Sequence, residues 1–335
     1  GFTGAWRALL QDRRGAGVRA QMVMLALATV VIMPAVGDGM LLGRPVGGAF
    51  APVGISVLAG AFLFGIGMQL GGGCASGTLF TAGGGDARMV VTLAFFVAGA
   101  TLGAAHLPWW LAQPGLGTIP LGETLGTGRA LLVQLGLFFA IWLATCIAEQ
   151  RRHGDILHPG TSGVRGWRRV LQGPWPLLWG AAGLALLNVL TLWISGHPWS
   201  VTFAFSLWGA KALAVAGVDV AAWEFWTWPY PKDALAGSVF ADDTSAMDIA
   251  ILLGALLASG LAGRFAPSLR IGLRPLAAAV IGGLLLGYGA RLAFGCNIGA
   301  LFSGIASGSL HGWLWLVAAL PGNWLGAWLR PVFRL

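Results

Sequence analysis

GIGMQLGGGCASGTLF (residues 65–80) and GYGARLAFGCNIGALF (residues 287–302) are one phrase written twice, with the cysteines 222 positions apart. Gly65/Gly287, Gly67/Gly289, Leu70/Leu292, Gly73/Gly295, Cys74/Cys296, Gly77/Gly299, Leu79/Leu301 and Phe80/Phe302 coincide. In each copy a long apolar run ends in a glycine-containing break. The cysteine follows at once, and a short second run begins. In a lipid-embedded chain this pattern predicts paired broken helices that meet at a central site.

Composition supplies the lipid. Charged residues make up 10% of the chain and hydrophobic residues 57%, where a soluble domain carries about 25% charged residues. Eight runs suffice for a hydrocarbon core that needs about 20 helical residues. They lie near 18–37, 51–70, 86–105, 128–148, 174–195, 245–265, 273–293 and 310–330. Shorter apolar pieces near 2–11, 75–83 and 200–218 read as half-helices that enter the membrane and turn back. The fold class is therefore an all-α polytopic membrane protein with re-entrant broken helices.

Loop charges set the orientation. With the 149–173 loop in the cytoplasm, the alternating spans leave only Arg44, Arg129, Lys211, Lys232 and Arg291 outside, so 15 of the 20 basic residues face inward. Asp38, Glu123, Asp219, Glu224, Asp233, Asp242, Asp243 and Asp248 fall on the outer side. The net charge of +8 thus reads as membrane topology and not as a nucleic-acid surface. Five spans separate the two cysteine elements, so they point in opposite directions. The resulting organisation is an inverted repeat: residues 1–148, a basic loop 149–173, and residues 174–335.

A fainter pairing links Gly1–Arg7 (GFTGAWR) with Ser206–Lys211 (SLWGAK), each with a Gly-Ala step at its fourth and fifth positions. The span 174–195 leads into the second. Its partner is expected ahead of Gly1, giving about nine spans in the intact protein.

The start of a short helix offers unpaired N–H groups and a partial positive charge, which attract anions. A thiol adds a soft, polarizable S–H. Oxygens of a sulfur-bearing anion suit the N–H groups, while its sulfur suits the thiol. The candidate pathway residues are Cys74, Cys296, Gly73, Gly77, Gly295, Gly299 and Asn297. Ser206, in a cysteine-equivalent slot, offers a hydroxyl or a packing group. Arg291 either draws anions to the outer mouth or snorkels at a helix end. Lys211 sits at a depth where an ionisable residue is functional by default, with Asp219 and Glu224 as possible partners. Cys146 lacks the motif and reads as packing. His106, His153, His158, His197 and His311 have no metal spacing, and neither a Walker phrase nor a dinucleotide fingerprint is present. No cofactor is expected.

The two cysteine motifs, the stretch 197–226 (HPWSVTFAFSLWGAKAL with GVDVAAWEFW) and the opening GFTGAWR together resemble the YeeE/YedE family of sulphur-transport membrane proteins. The resemblance implies thiosulfate uptake across the bacterial inner membrane, without a catalysed covalent change. It implies an hourglass-shaped inverted repeat in which cysteines pass the ion along by S–H···S hydrogen bonds, and a TusA-like sulfurtransferase as cytoplasmic partner. A related branch handles selenium. The family's third thiol would fall at Gly1, where this chain has none. A different class, a membrane sulfur-transfer or redox enzyme, would require one thiol to become covalently modified.

Overall fold

A computed structural model describes residues 1–157, 169, 175–265, 267 and 271–335. His158, Arg165, Arg168, Arg270 and most of the 149–173 loop lie outside them.

The described residues are overwhelmingly helical. In order the main helices are α1 (Phe2–Asp12), α2 (Ala16–Asp38), α3 (Ile55–Gly71), α4 (Ala75–Gly83), α5 (Ala87–Leu111), α6 (Thr127–His153), α7 (Leu177–Ser195), α8 (Thr202–Val215), α9 (Pro229–Ala236), α10 (Asp243–Leu261), α11 (Leu273–Leu292) and α12 (Leu310–Leu329). Among the described residues seven helical segments are long and apolar enough to cross a membrane. Five are single helices, and two are composites over Ile55–Gly83 and Leu273–Ala306. The eighth expected run forms the 20-residue α12, which carries four Trp, His311 and Asn323. The chain is a multi-span membrane protein. Leu132, Phe139, Leu186, Leu253 and Leu257 stand exposed on the spans, as lipid-facing side chains do and water-facing ones rarely do.

The chain folds as two compact units, each taking segments from both halves of the sequence. The first comprises Gly1–Ala51, Thr118–Trp199 and Phe302–Trp313. There α2 packs against α6 and α7. Gln134 ties the helices by donating to Met33 Sδ and accepting from Trp313 Nε1. The span expected to end at residue 148 continues to His153, because Glu149 is buried. Glu149 accepts from Arg19 Nη1 at 2.6 Å, Arg14 Nη1 at 3.1 Å, and the N–H groups of Gly15 and Leu157. Four donors satisfy a carboxylate that would otherwise be costly to bury.

The second unit comprises Pro52–Gly117, Ser200–Leu301 and Leu314–Leu335. Its frame is α11 laid against α3 and α5. Small residues let the backbones touch: a Cβ on Gly287 would collide with Phe96 O, and one on Gly282 with the backbone of Gly71. Helices in lipid gain their association from such close packing, since there is little hydrophobic drive between them. Aromatic side chains fill the remainder. Phe205 meets Phe96 with ring centroids 4.6 Å apart, Phe96 meets Phe64, and Phe64 meets Trp315.

Candidate functional site

Both cysteines lie in the second unit, and both follow a break in a helix, as the sequence predicts. The first break begins where α3 reaches Gly72, whose φ of +91° ends the helix. The last carbonyls of α3 do not go unsatisfied. Gln69 O accepts from Arg330 at 2.8 Å, Leu70 O from Arg88 at 2.6 Å, and Gly71 O from Thr92 Oγ1 at 3.3 Å. Cys74 then stands in extended conformation as the residue capping α4, and its carbonyl accepts the first helical bond from Thr78 N. Its Sγ lies 3.6 Å from Ser76 Oγ. Gly73 leaves room for this turn, because a Cβ there would sit 3.0 Å from Thr78 N. Gly77 faces the thiol: a Cβ on it would be 3.3 Å from Cys74 Sγ.

The second break is tighter. After α11, Phe294 (φ +58°) and Gly295 (φ +152°) reverse the chain. Here too the carbonyls are held: Leu292 O accepts from Ser56 Oγ at 2.7 Å and Gly295 O from Trp315 Nε1 at 3.3 Å. Cys296 O accepts from both Ala300 N and Leu301 N. That shared acceptor starts a π-helical stretch over Asn297–Ser303, a rare form that collects at functional sites. Ile298 N donates to Cys296 Sγ at 3.4 Å, and Gly299 N also interacts with it. With its sulfur serving as acceptor, Cys296 keeps its S–H proton for another partner.

Both thiols are free and buried, and they lie within electrostatic range of one another. Asn297, next to Cys296, is fully buried, and neither its Oδ1 nor its Nδ2 has a hydrogen-bond partner. Thr78 Oγ1, one turn into α4 from Cys74, is likewise buried without one. Leaving such groups unpaired costs about 1–3 kcal/mol each. The two breaks therefore present thiols, helix-start N–H groups and unsatisfied amide and hydroxyl groups, which together are donors suited to an anion.

The other predicted residues fall at different places. Ser206 is buried and donates to Ala100 O, so its hydroxyl helps fix α8 against α5. Arg291 ends α11. Its guanidinium lies over the Phe225 ring at 5.0 Å, and its Nε and Nη1 have no partner. Lys211 departs from expectation. Its ammonium donates to Leu235 O and Gly237 O at 2.7 Å each, not to Asp219 or Glu224. The C-terminal end of α9 exposes carbonyls there, and these supply the charge complement. Lys211 lines a wide cleft of about 850 Å³ with Asp219, Lys232 and Trp226. Cys146 is buried in α6, in the first unit. Among the described residues no cluster of His, Cys, Asp and Glu could hold a metal ion.

One residue near the thiols escaped sequence reasoning. Asp248, placed on the outer side by the loop charges, lies inside α10 and is fully buried. α10 begins at Asp243, two residues ahead of the expected run, and Asp242 caps it by accepting from Ser245 N at 2.8 Å. The signal was present: Asp248 is the lone ionisable residue in the run 244–263, and an intramembrane carboxylate marks a functional position.

A family model described as "Sulphur transport" matches residues 1–325. The probable transporter YedE of Escherichia coli is 34% identical over 157 residues, covering 46% of this chain and 38% of that protein. The chain thus spans well under half the length of that relative. A thiosulfate transporter, TsuA, of Spirochaeta thermophila is 27% identical over 284 residues, 81% of this chain and 76% of that protein. The Escherichia coli protein of the same name is 22% identical over 336 aligned positions, covering 98% and 88%.

Proposed function

The chain belongs to the sulphur-transport family, and from that membership we propose that it carries thiosulfate inward across the bacterial inner membrane. The pathway runs through the two cysteine breaks, taken as matching members of an inverted repeat. The ion arrives from outside at Cys296 and presents its terminal sulfur to the S–H. Its oxygens meet the N–H groups at the start of the π-helical stretch and the side chain of Asn297. It then passes to Cys74, where α4 offers a second set of N–H groups, and leaves to the cytoplasm. Weak, successive contacts favour this passage, since an ion must bind well enough to enter and loosely enough to depart. No bond is made or broken, so the reading is transport and not catalysis.

The observation that carries the reading is the state of Cys296. Its sulfur accepts from the Ile298 N–H while an unsatisfied Asn297 amide lies beside it. The names borne by the TsuA relatives supply the sulfur species. The cytoplasmic placement of the 149–173 loop rests on the charge bias of the loops. A TusA-like acceptor on that face completes the scheme.

The test is uptake of labelled thiosulfate by liposomes holding the full chain, with Cys74→Ala and Cys296→Ala alongside. Each variant should lose most of the uptake. Full uptake by both removes the thiols from the pathway. Competition by sulfate, sulfite and selenium oxyanions then ranks the species carried. A lasting persulfide on either cysteine, found by mass spectrometry after exposure to thiosulfate, would make the protein a sulfur-transfer enzyme instead.

A further inference from the structure

Asp248 occupies a position that the pathway above leaves unexplained. It stands on the buried face of α10, which packs on α4, on α8 and on the turn at Val239–Ala241. One turn before it, Ser245 Oγ accepts from Trp208 Nε1 of α8 at 2.9 Å. One turn after it, Gly83 of α4 comes so close that an added Cβ would lie 2.5 Å from Leu252 O. The carboxyl is thus set between α8 and the helix that Cys74 begins, within electrostatic range of Cys296. Among the described residues neither of its oxygens has a hydrogen-bond partner.

Among the described residues the surrounding charges offer no counter-ion. On its own element the charged neighbour is Asp242, which is already satisfied by Tyr230, Thr244 and Ser245 N. From α4 comes no ionisable side chain. From α8 comes Lys211, held by the carbonyls of Leu235 and Gly237. The turn at Val239–Ala241 brings none. From the Cys296 break comes a thiol. An ionised carboxylate with no partner and no water is among the costliest groups to bury. A fixed negative charge would also repel an anion arriving at the thiols. A proton on the carboxyl removes the repulsion and reduces the burial cost to that of a neutral polar group. Conversely, the carboxylate is restored only when water reaches it.

We propose that Asp248 is a proton-binding site that couples inward proton movement to passage of the anion; the proposal rests on the thiosulfate reading above. A proton from the outer side joins the carboxylate, giving a neutral carboxylic acid. The anion then occupies the thiols. After the anion has left, the acid releases its proton to cytoplasmic water. Charge and atoms balance, and no electron moves. The coupling also halves an electrical cost, because a dianion drawn into a negative-inside cell moves two charges against the membrane potential and one proton offsets one of them.

The test uses the full chain in liposomes with the membrane potential clamped and a pH dye in the lumen. Wild type should accumulate labelled thiosulfate under an acid-outside gradient, by roughly tenfold per pH unit for one coupled proton. A thiosulfate pulse should acidify the lumen. Asp248→Asn should lose both responses, and Asp248→Glu should regain them. Thiosulfate uptake without lumen acidification overturns the proposal and leaves the transport reading intact. So does accumulation driven by a sodium gradient in place of acid. Absence of any thiosulfate uptake by wild type overturns the transport reading, and the proposal falls with it. Should the Asn variant fail to fold, the wild-type dye response decides alone.

Discussion

Replacing Gly295 by alanine asks an L-residue to adopt φ +152° while its new methyl carbon sits 2.5 Å from Ala300 N. Backbone strain of this kind costs about 1–3 kcal/mol. The collision adds to it, because the obstructing atom is backbone in the π-helical stretch and no side chain can swing away. A total near 3 kcal/mol is a factor of roughly 150 in the population of the correctly turned loop. Gly299 supplies the control. A Cβ there meets Ser200 Oγ at 3.5 Å, an ordinary contact, and its φ is not positive. Gly299→Ala should leave the melting temperature of the detergent-solubilised chain unchanged while weakening thiosulfate uptake, since the methyl group stands at an N–H that faces Cys296. Gly295→Ala should lower the melting temperature and abolish uptake together. Equal stability of Gly295→Ala and wild type would refute the role given to this turn. Unchanged uptake by Gly299→Ala would refute close approach of the anion there.

Asn297→Ala should raise the melting temperature slightly, because removing two unsatisfied polar groups worth about 1–3 kcal/mol apiece is largely offset by the cavity left behind, yet reduce uptake; a loss of stability would show that the amide has a structural partner. Glu149→Ala should destabilise by about 3 kcal/mol, the low end for stranding a buried cation, because Arg14 is part-exposed while Arg19 is left with only Leu157 O. Thermal unfolding of Glu149→Ala beside an Arg19→Met/Glu149→Leu pair checks it, and the pair should recover most of the loss. Gly287→Leu should prevent assembly of the α3/α5/α11 frame, read as loss of a monodisperse peak after solubilisation. Arg88→Met should loosen the first cysteine break by freeing Leu70 O, read as faster alkylation of Cys74 than in wild type.

The broken helices were legible because their signals are local. Glycine before cysteine and a short apolar run after it state a break at 72–74 and at 293–296 without any tertiary information. The short helices at 2–12, 75–83 and 202–215 followed for the same reason, being too brief to span. What failed was whatever depends on a neighbour far along the chain. Glu149 looked like the start of a polar loop, since nothing local announces Arg14 and Arg19 some 130 positions earlier. Lys211 was matched to Asp219 and Glu224 by nearness in sequence, whereas it meets two helix-end carbonyls. Asp248 was counted with the outer charges although the run 245–265 already enclosed it, and its burial within α10 depends on neighbours far along the chain.

The frame of the second unit carries a mechanical corollary. Where three helical backbones rest directly on one another, sliding by even a single ångström would drive a carbonyl into an opposing chain. Sliding past one another is thereby denied to α3, α5 and α11, so any movement of this frame carries the three helices together as one rigid bracket.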